Sequence, residues 1–194
     1  MTAKEKLIQL REETGVSIIE CKKAIEEASG YIPKAKEILR KWGQSLAGKK
    51  TSREVKEGII ESYIHSNKKI GVLLELSCES DFVARSEEFR KLARELCLQI
   101  AAFKPLFLKE NDVPEDLIVK EKEIYKAQLV NSGKPERLIN QIVDGKIKKY
   151  KEEISLLSQL WIKDSAKTVG DLISDAVAKI GENIVVKRFT RYEI

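Results

Sequence analysis

The chain has 194 residues, 42% of them hydrophobic and 35% charged, and its 36 Lys and Arg nearly balance 31 Asp and Glu, for a net charge of +5. At roughly 150 residues per domain this is one large or two small domains, long enough to bury a core without disulfide or metal staples. Near-cancelling charge fits neither wholesale disorder nor a dedicated polycation.

The opening MTAKEKLIQLREETG lacks the apolar centre of a signal peptide, and the densest apolar stretch, Ile70 to Leu76, is too short to span a bilayer. Neither secretion nor membrane attachment is expected. Cys21, Cys78 and Cys97 have no CxxC spacing, and His65 is the single histidine, so free thiols in a reducing cytoplasm are expected and a zinc site is not.

Leu7, Ile8 and Leu10 lay an apolar stripe at helical spacing, which predicts a first helix over Lys4 to Glu13 with a stop at Thr14-Gly15. Ser17 and Glu20 are spaced as a capping box for a second helix ended by Gly30. Pro33 suits the first turn of a third, which runs through Ala35, Ile38, Leu39 and Trp42 to Gly43. Residues 1–44 therefore read as a three-helix module. Residues 45–54, polar, small and basic, read as a linker.

Residues 55–194 alternate strand and helix signals. Val55 to His65 and Lys69 to Cys78 predict a hairpin around Ser66-Asn67, with Ile70, Val72, Leu74 and Leu76 on one face. Phe89, Leu92, Ala93, Leu96, Ile100 and Phe103 recur at three and four, marking an amphipathic helix capped by Ser86 and stopped by Pro105. Pro114 and Pro135 introduce two further helices. Thr168 and Asp171 have capping spacing for another closed by Gly181, and Asn183 to Ile194 reads as a final strand. Helices covering a small antiparallel sheet make an α+β architecture.

The glycines are scattered, without GxGxxG or GxxxxGK[ST], so no nucleotide, cofactor or metal site is expected on this chain and no covalent catalysis. His65 and Cys78, on neighbouring strands, are the one conceivable thiol pair; the plainer reading is that the cysteines are inert core. Interleaved Lys and Glu read as solvated helix faces, so no dedicated nucleic-acid surface is expected. CESDFVARSEEF stands apart, because Asp81 and Phe82 lie side by side between a strand and a helix, where a loop should project. Either Phe82 plugs the local core while Asp81 caps a short helical turn, or the two form a protruding recognition tip.

Four strings, LREETGVSIIECKKAIEEASG, SDFVARSEEF, GKIKKYKEEISLLSQLWIKD and GENIVVKRFTRYEI, together resemble the elongation factor Ts family, in family order from Leu10 to the C-terminus. The resemblance implies a ubiquitin-associated-like (UBA-like) N-terminal module, a linker and an α+β dimerisation domain. It also implies guanine-nucleotide exchange: such a factor binds the GTPase EF-Tu carrying GDP, perturbs the magnesium and phosphate region, and releases GDP. By resemblance Asp81 and Phe82, flanked by Ser80 and Val83, are the tip that intrudes on EF-Tu. Arg11, Ile18 and Ile19 occupy positions that contact its GTPase domain.

Three departures are visible. Ser80 stands where the family usually has threonine, Ile18-Ile19 replaces a common Met-Met pair, and Leu160-Trp161 replaces Pro-Phe, which leaves the local turn open. Longer members carry a second core half and a projecting coiled-coil hairpin, for which 194 residues leave little room. The chain thus resembles the short form, and a homodimer is implied. A helical-bundle adaptor and an RNA-associated ribosomal factor are the rival readings.

Overall fold

The computed structural model describes residues 2–16, 18–50, 52–130 and 135–194, with residues 44–49 by backbone only. Helix α1 spans Ala3–Thr14, α2 Ile18–Glu27 and α3 Ile32–Lys50. Thr2 starts α1 with a capping box: its hydroxyl accepts from Glu5 N at 3.3 Å, and its own N–H donates to the Glu5 carboxylate at 2.9 Å. Gly15, at φ 67°, ends the helix in the left-handed conformation that glycine adopts without a Cβ clash. Ser17, expected to cap α2, lies outside the described residues. Leu10, Cys21, Ala24, Ala28, Ala35, Ile38 and Leu39 close a core of their own. Its small residues let three short helices approach closely.

Two sequence expectations need correction in α3. The helix does not stop at Gly43, and the expected linker 45–54 is helical as far as Lys50. Gly43 is a packing glycine and not a cap: a Cβ there would lie 3.2 Å from the Ala178 Cβ, so its absence lets α3 cross α8 (Val169–Ile180) closely. Arg40 pairs with Asp171 at 3.8 Å, and Lys50 Nζ donates to the Gly181 carbonyl at 2.7 Å. A polar, basic composition thus continues a helix that has a second helix to lie on.

The main sheet is antiparallel, in the order β1 (Glu57–Ile64), β2 (Ile70–Cys78), β5 (Val185–Glu193). The expected hairpin joins β1 and β2, and Asn67 Oδ1 accepts from Lys69 N at 2.9 Å in its turn. Central β2 buries Val72, Leu74, Leu76 and Cys78. Helix α5 (Glu87–Phe103) covers them with Phe89, Leu92, Leu96 and Ile100, and α8 adds Val169 and Val177. The caps predicted for α5 and α8 are present: Ser86 accepts from Phe89 N, and Thr168 forms a capping box with Asp171. On β5 the ladder shifts at Lys187, since Glu75 faces Arg188 while Leu76 faces Val186.

Two features were not expected. Leu160-Trp161 forms a short strand, β3, paired with β4 (Asp164–Thr168), which settles the local geometry left open by the departure from Pro-Phe. Buried Gln99 fixes it, donating to the Leu160 carbonyl at 3.1 Å and accepting from Ile162 N at 2.9 Å. Helices α6 (Glu115–Leu129) and α7 (Glu136–Ile154) pack as an antiparallel pair around Val113, Ile118, Val143 and Ile147. So 194 residues do accommodate a helical hairpin with a separate apolar core. No helix among the described residues is long and apolar enough to cross a membrane.

Candidate partner-binding site

After β2 the chain bends at Glu79, is extended at Ser80 and then turns into α4, Asp81–Arg85. Asp81 and Phe82 therefore stand on the first turn of a short helix and not on an open loop. Ser80 is the cap, with its hydroxyl accepting from Val83 N at 3.3 Å. Asp81 occupies the first helical position, where a negative charge complements free backbone amides, and pairs with Arg85 at 3.0 Å in solvent. A helix turns about 100° per residue, so the four residues divide between two environments. Val83 and Ala84 are 6% and 5% exposed and join the main core, whereas Phe82 is 81% exposed.

The sequence-derived residues thus separate. Val83 lies under the turn as its anchor, and its side chain does not face outward. Ser80 is half-buried and engaged in bonds within its own chain. On the N-terminal module, Arg11 is exposed in the last turn of α1, and Ile18 and Ile19, 49% and 67% exposed, open α2. These three flank the Gly15 turn, on a different module from Phe82.

A residue that sequence reasoning missed sits against α4. Glu182, in the connection between α8 and β5, accepts from Glu79 N at 3.1 Å and Ser80 N at 3.0 Å through one carboxylate oxygen. Through the other it accepts from the Ser80 hydroxyl at 2.6 Å. The next residue is fixed too: Asn183 N donates to Glu79 Oε1 at 2.6 Å, and its side-chain amide donates to the Arg53 carbonyl at 2.8 Å. No local pattern points to Glu182, which is 102 residues from Ser80 along the chain.

The conceivable thiol pair is not assembled. Cys78 pairs with Glu57 at one end of the hairpin, while His65 lies past its other end and bonds Tyr63 through Nδ1 at 2.8 Å. Burial, with the Glu182 charge second, pushes the Cys78 thiol up to about 11, and Cys97 is pushed up by burial to about 12. Among the described residues no group of three or more His, Cys, Asp or Glu is placed to hold a metal ion.

Fold and surface define the class: an α+β protein with a helical N-terminal module and large apolar side chains held outward on the first turns of α2 and α4. A family model described as Elongation factor TS matches residues 34–194. The protein called elongation factor Ts in Thermotoga petrophila is 55% identical over 186 residues, covering 96% of this chain and 92% of its own. That of Thermosipho melanesiensis is 54% identical over 186 residues, covering 96% and 95%. That of Caldanaerobacter subterraneus is 48% identical over 193 residues, covering 100% and 96%. The chain belongs to the elongation factor Ts family, whose members are translation elongation factors.

Proposed function

We propose that this chain is a guanine-nucleotide exchange factor for EF-Tu in the cytoplasm, and that the Asp81-Phe82 turn is the element that loosens GDP. The observation that carries this reading is Phe82, 81% exposed on a turn whose next two residues, Val83 and Ala84, are buried. A solvated aromatic ring is disfavoured in isolation and gains on entering an apolar pocket, so it supports insertion into a partner. Asp81 brings a carboxylate to the same spot. Magnesium tolerates little departure from octahedral geometry, so displacing the partner's supporting shell weakens its hold on nucleotide.

Each roughly 1.4 kcal/mol removed from the release barrier is a tenfold gain in rate, so a few such increments suffice without covalent chemistry. Coupling is reciprocal: a factor that weakens nucleotide binding is itself weakened by nucleotide, which lets GTP expel it. Arg11, Ile18 and Ile19 provide a second contact on the GTPase domain. Ser80 and Val83 act from within, as cap and anchor. The outer sheet face exposes Ile60, Ile64, Leu73 and Tyr192, apolar area that a second copy of the chain would cover. A homodimer follows as the working assembly.

The test follows fluorescent GDP leaving purified EF-Tu. Saturating wild-type protein should speed release greatly, Phe82→Ala should lose at least about tenfold of that acceleration, and Asp81→Ala should lose less. An unchanged release rate with wild-type protein would overturn the assignment.

A further inference from the structure

We propose that Glu182 is a positioning residue for the Asp81-Phe82 turn, a role that rests on the exchange reading above. Helix α4 has five residues, too few for a helix to hold its own geometry in water. Phe82 is mostly in solvent, so its own contacts do little to orient it. Where the ring points is therefore decided by the backbone just before it and by the packing of Val83 and Ala84 beneath it.

Glu182 controls that backbone. Its carboxylate gathers three donors from two consecutive residues, Glu79 N, Ser80 N and Ser80 Oγ, at 3.1, 3.0 and 2.6 Å. Hydrogen bonds to an ionised acceptor are about twice as strong as neutral ones. The third bond also orients the cap. Because the Ser80 hydroxyl gives its one proton to Glu182, its lone pairs are free to accept from Val83 N at 3.3 Å, the bond that opens α4.

The clamp has a fixed footing on both sides. Gly181, at φ 90°, ends α8 immediately before Glu182, and Asn183, buried immediately after it, is tied to Glu79 and Arg53. Two chain segments thus hold each other reciprocally: Glu182 binds the backbone of 79 and 80, and Glu79 binds the backbone of 183. Such a constraint makes the ring's approach to a pocket pre-set, so less conformational freedom is lost on binding.

The test uses the full chain with Glu182→Gln, which keeps the side-chain size but turns one acceptor into a donor facing donors, and with Ser80→Ala as a milder second variant. Amide hydrogen exchange should quicken at least about tenfold at Glu79 and Ser80 in Glu182→Gln, with Leu74 in β2 unchanged. Unaltered protection at those two amides would overturn the clamp, whatever the protein does to EF-Tu.

In GDP release from EF-Tu, the maximal rate should fall about five- to tenfold while the half-saturating concentration moves less than about threefold. Ser80→Ala should show the same pattern, smaller. In a Phe82→Ala background the Glu182→Gln loss should disappear, because a positioning residue has nothing left to position. Fully additive losses would overturn action through the ring. Absence of acceleration by wild-type protein would remove the exchange reading, and the positioning role with it.

Discussion

At the scale of single residues, α4 turns about 100° at each step, and that rotation, with its phase set by the Ser80 cap, sends Val83 and Ala84 into the core and Phe82 into solvent. The same accounting applies to the thiols. Cys21, Cys78 and Cys97 are all buried, and burial is the first cause raising each thiol, Cys78 to about 11 and Cys97 to about 12. At pH 8 roughly one part in a thousand of Cys78 is thiolate. A disulfide reagent should therefore label the native chain slowly and all three cysteines promptly after denaturation. Rapid stoichiometric labelling of one native cysteine would contradict that burial. Phe82 was legible as a candidate because an aromatic beside a carboxylate at a strand-to-helix junction is conspicuous in sequence. Its direction was not, since the choice between plug and tip depends on a helical phase set by the Ser80 cap. Glu182 was illegible because its partners are brought to it only by the fold.

Among the elements, those with a period of their own could be read directly. The β1–β2 hairpin followed from alternation and an Asn-containing turn, and α5 and α8 from stripes bracketed by caps. Strand β3 has two residues, too few for any period, and exists through Gln99, which is distant in sequence. Gly43 was misread because a packing glycine and a capping glycine look alike until φ and the facing helix are known. Strand β5 ends in a small charged network that makes a pH prediction. Glu193 accepts from Arg191 at 2.8 Å and Lys104 at 2.7 Å, and these bonds, Arg191 first, hold its carboxyl at about 2 against an ordinary 4.5. A folded-state pKa below the unfolded one gives stability that is present above pH 4.5 and lost as pH falls toward 2. The melting temperature of wild type should exceed that of Glu193→Gln by no more than about a few degrees at pH 6, because the Glu193 carboxylate and Lys104 are exposed, and the difference should vanish near pH 2. A difference that grew on acidification would reverse the sign of this argument.

At the scale of the whole molecule the described residues form three apolar clusters, one in the N-terminal bundle, one between the main sheet and its helices, and one in the α6–α7 pair. Light scattering should find a particle near twice the 22.1 kDa of one chain at micromolar concentration, and a single-chain mass would count against the dimer. Deleting residues 1–43 should raise the concentration needed for half-maximal exchange at least about tenfold by removing Arg11, Ile18 and Ile19. It should also lower the melting temperature, because the cut uncovers the Ala178 side of α8. Ile18→Ser with Ile19→Ser separates the two effects, weakening association while leaving the melting temperature nearly unchanged.

That α3 runs unbroken to Lys50 and lies along α8 has a consequence for avidity. A floppy tether would let the two apolar prongs wander, and a first contact would then raise the local concentration of the second only modestly. Here Lys50 is fastened to Gly181, next to the residue that grips the aromatic turn, so the prongs are spaced like the jaws of a caliper. On the proposed exchange reading, a partner whose two pockets match that gauge meets the second jaw with little further loss of freedom, and one whose pockets do not match binds more weakly.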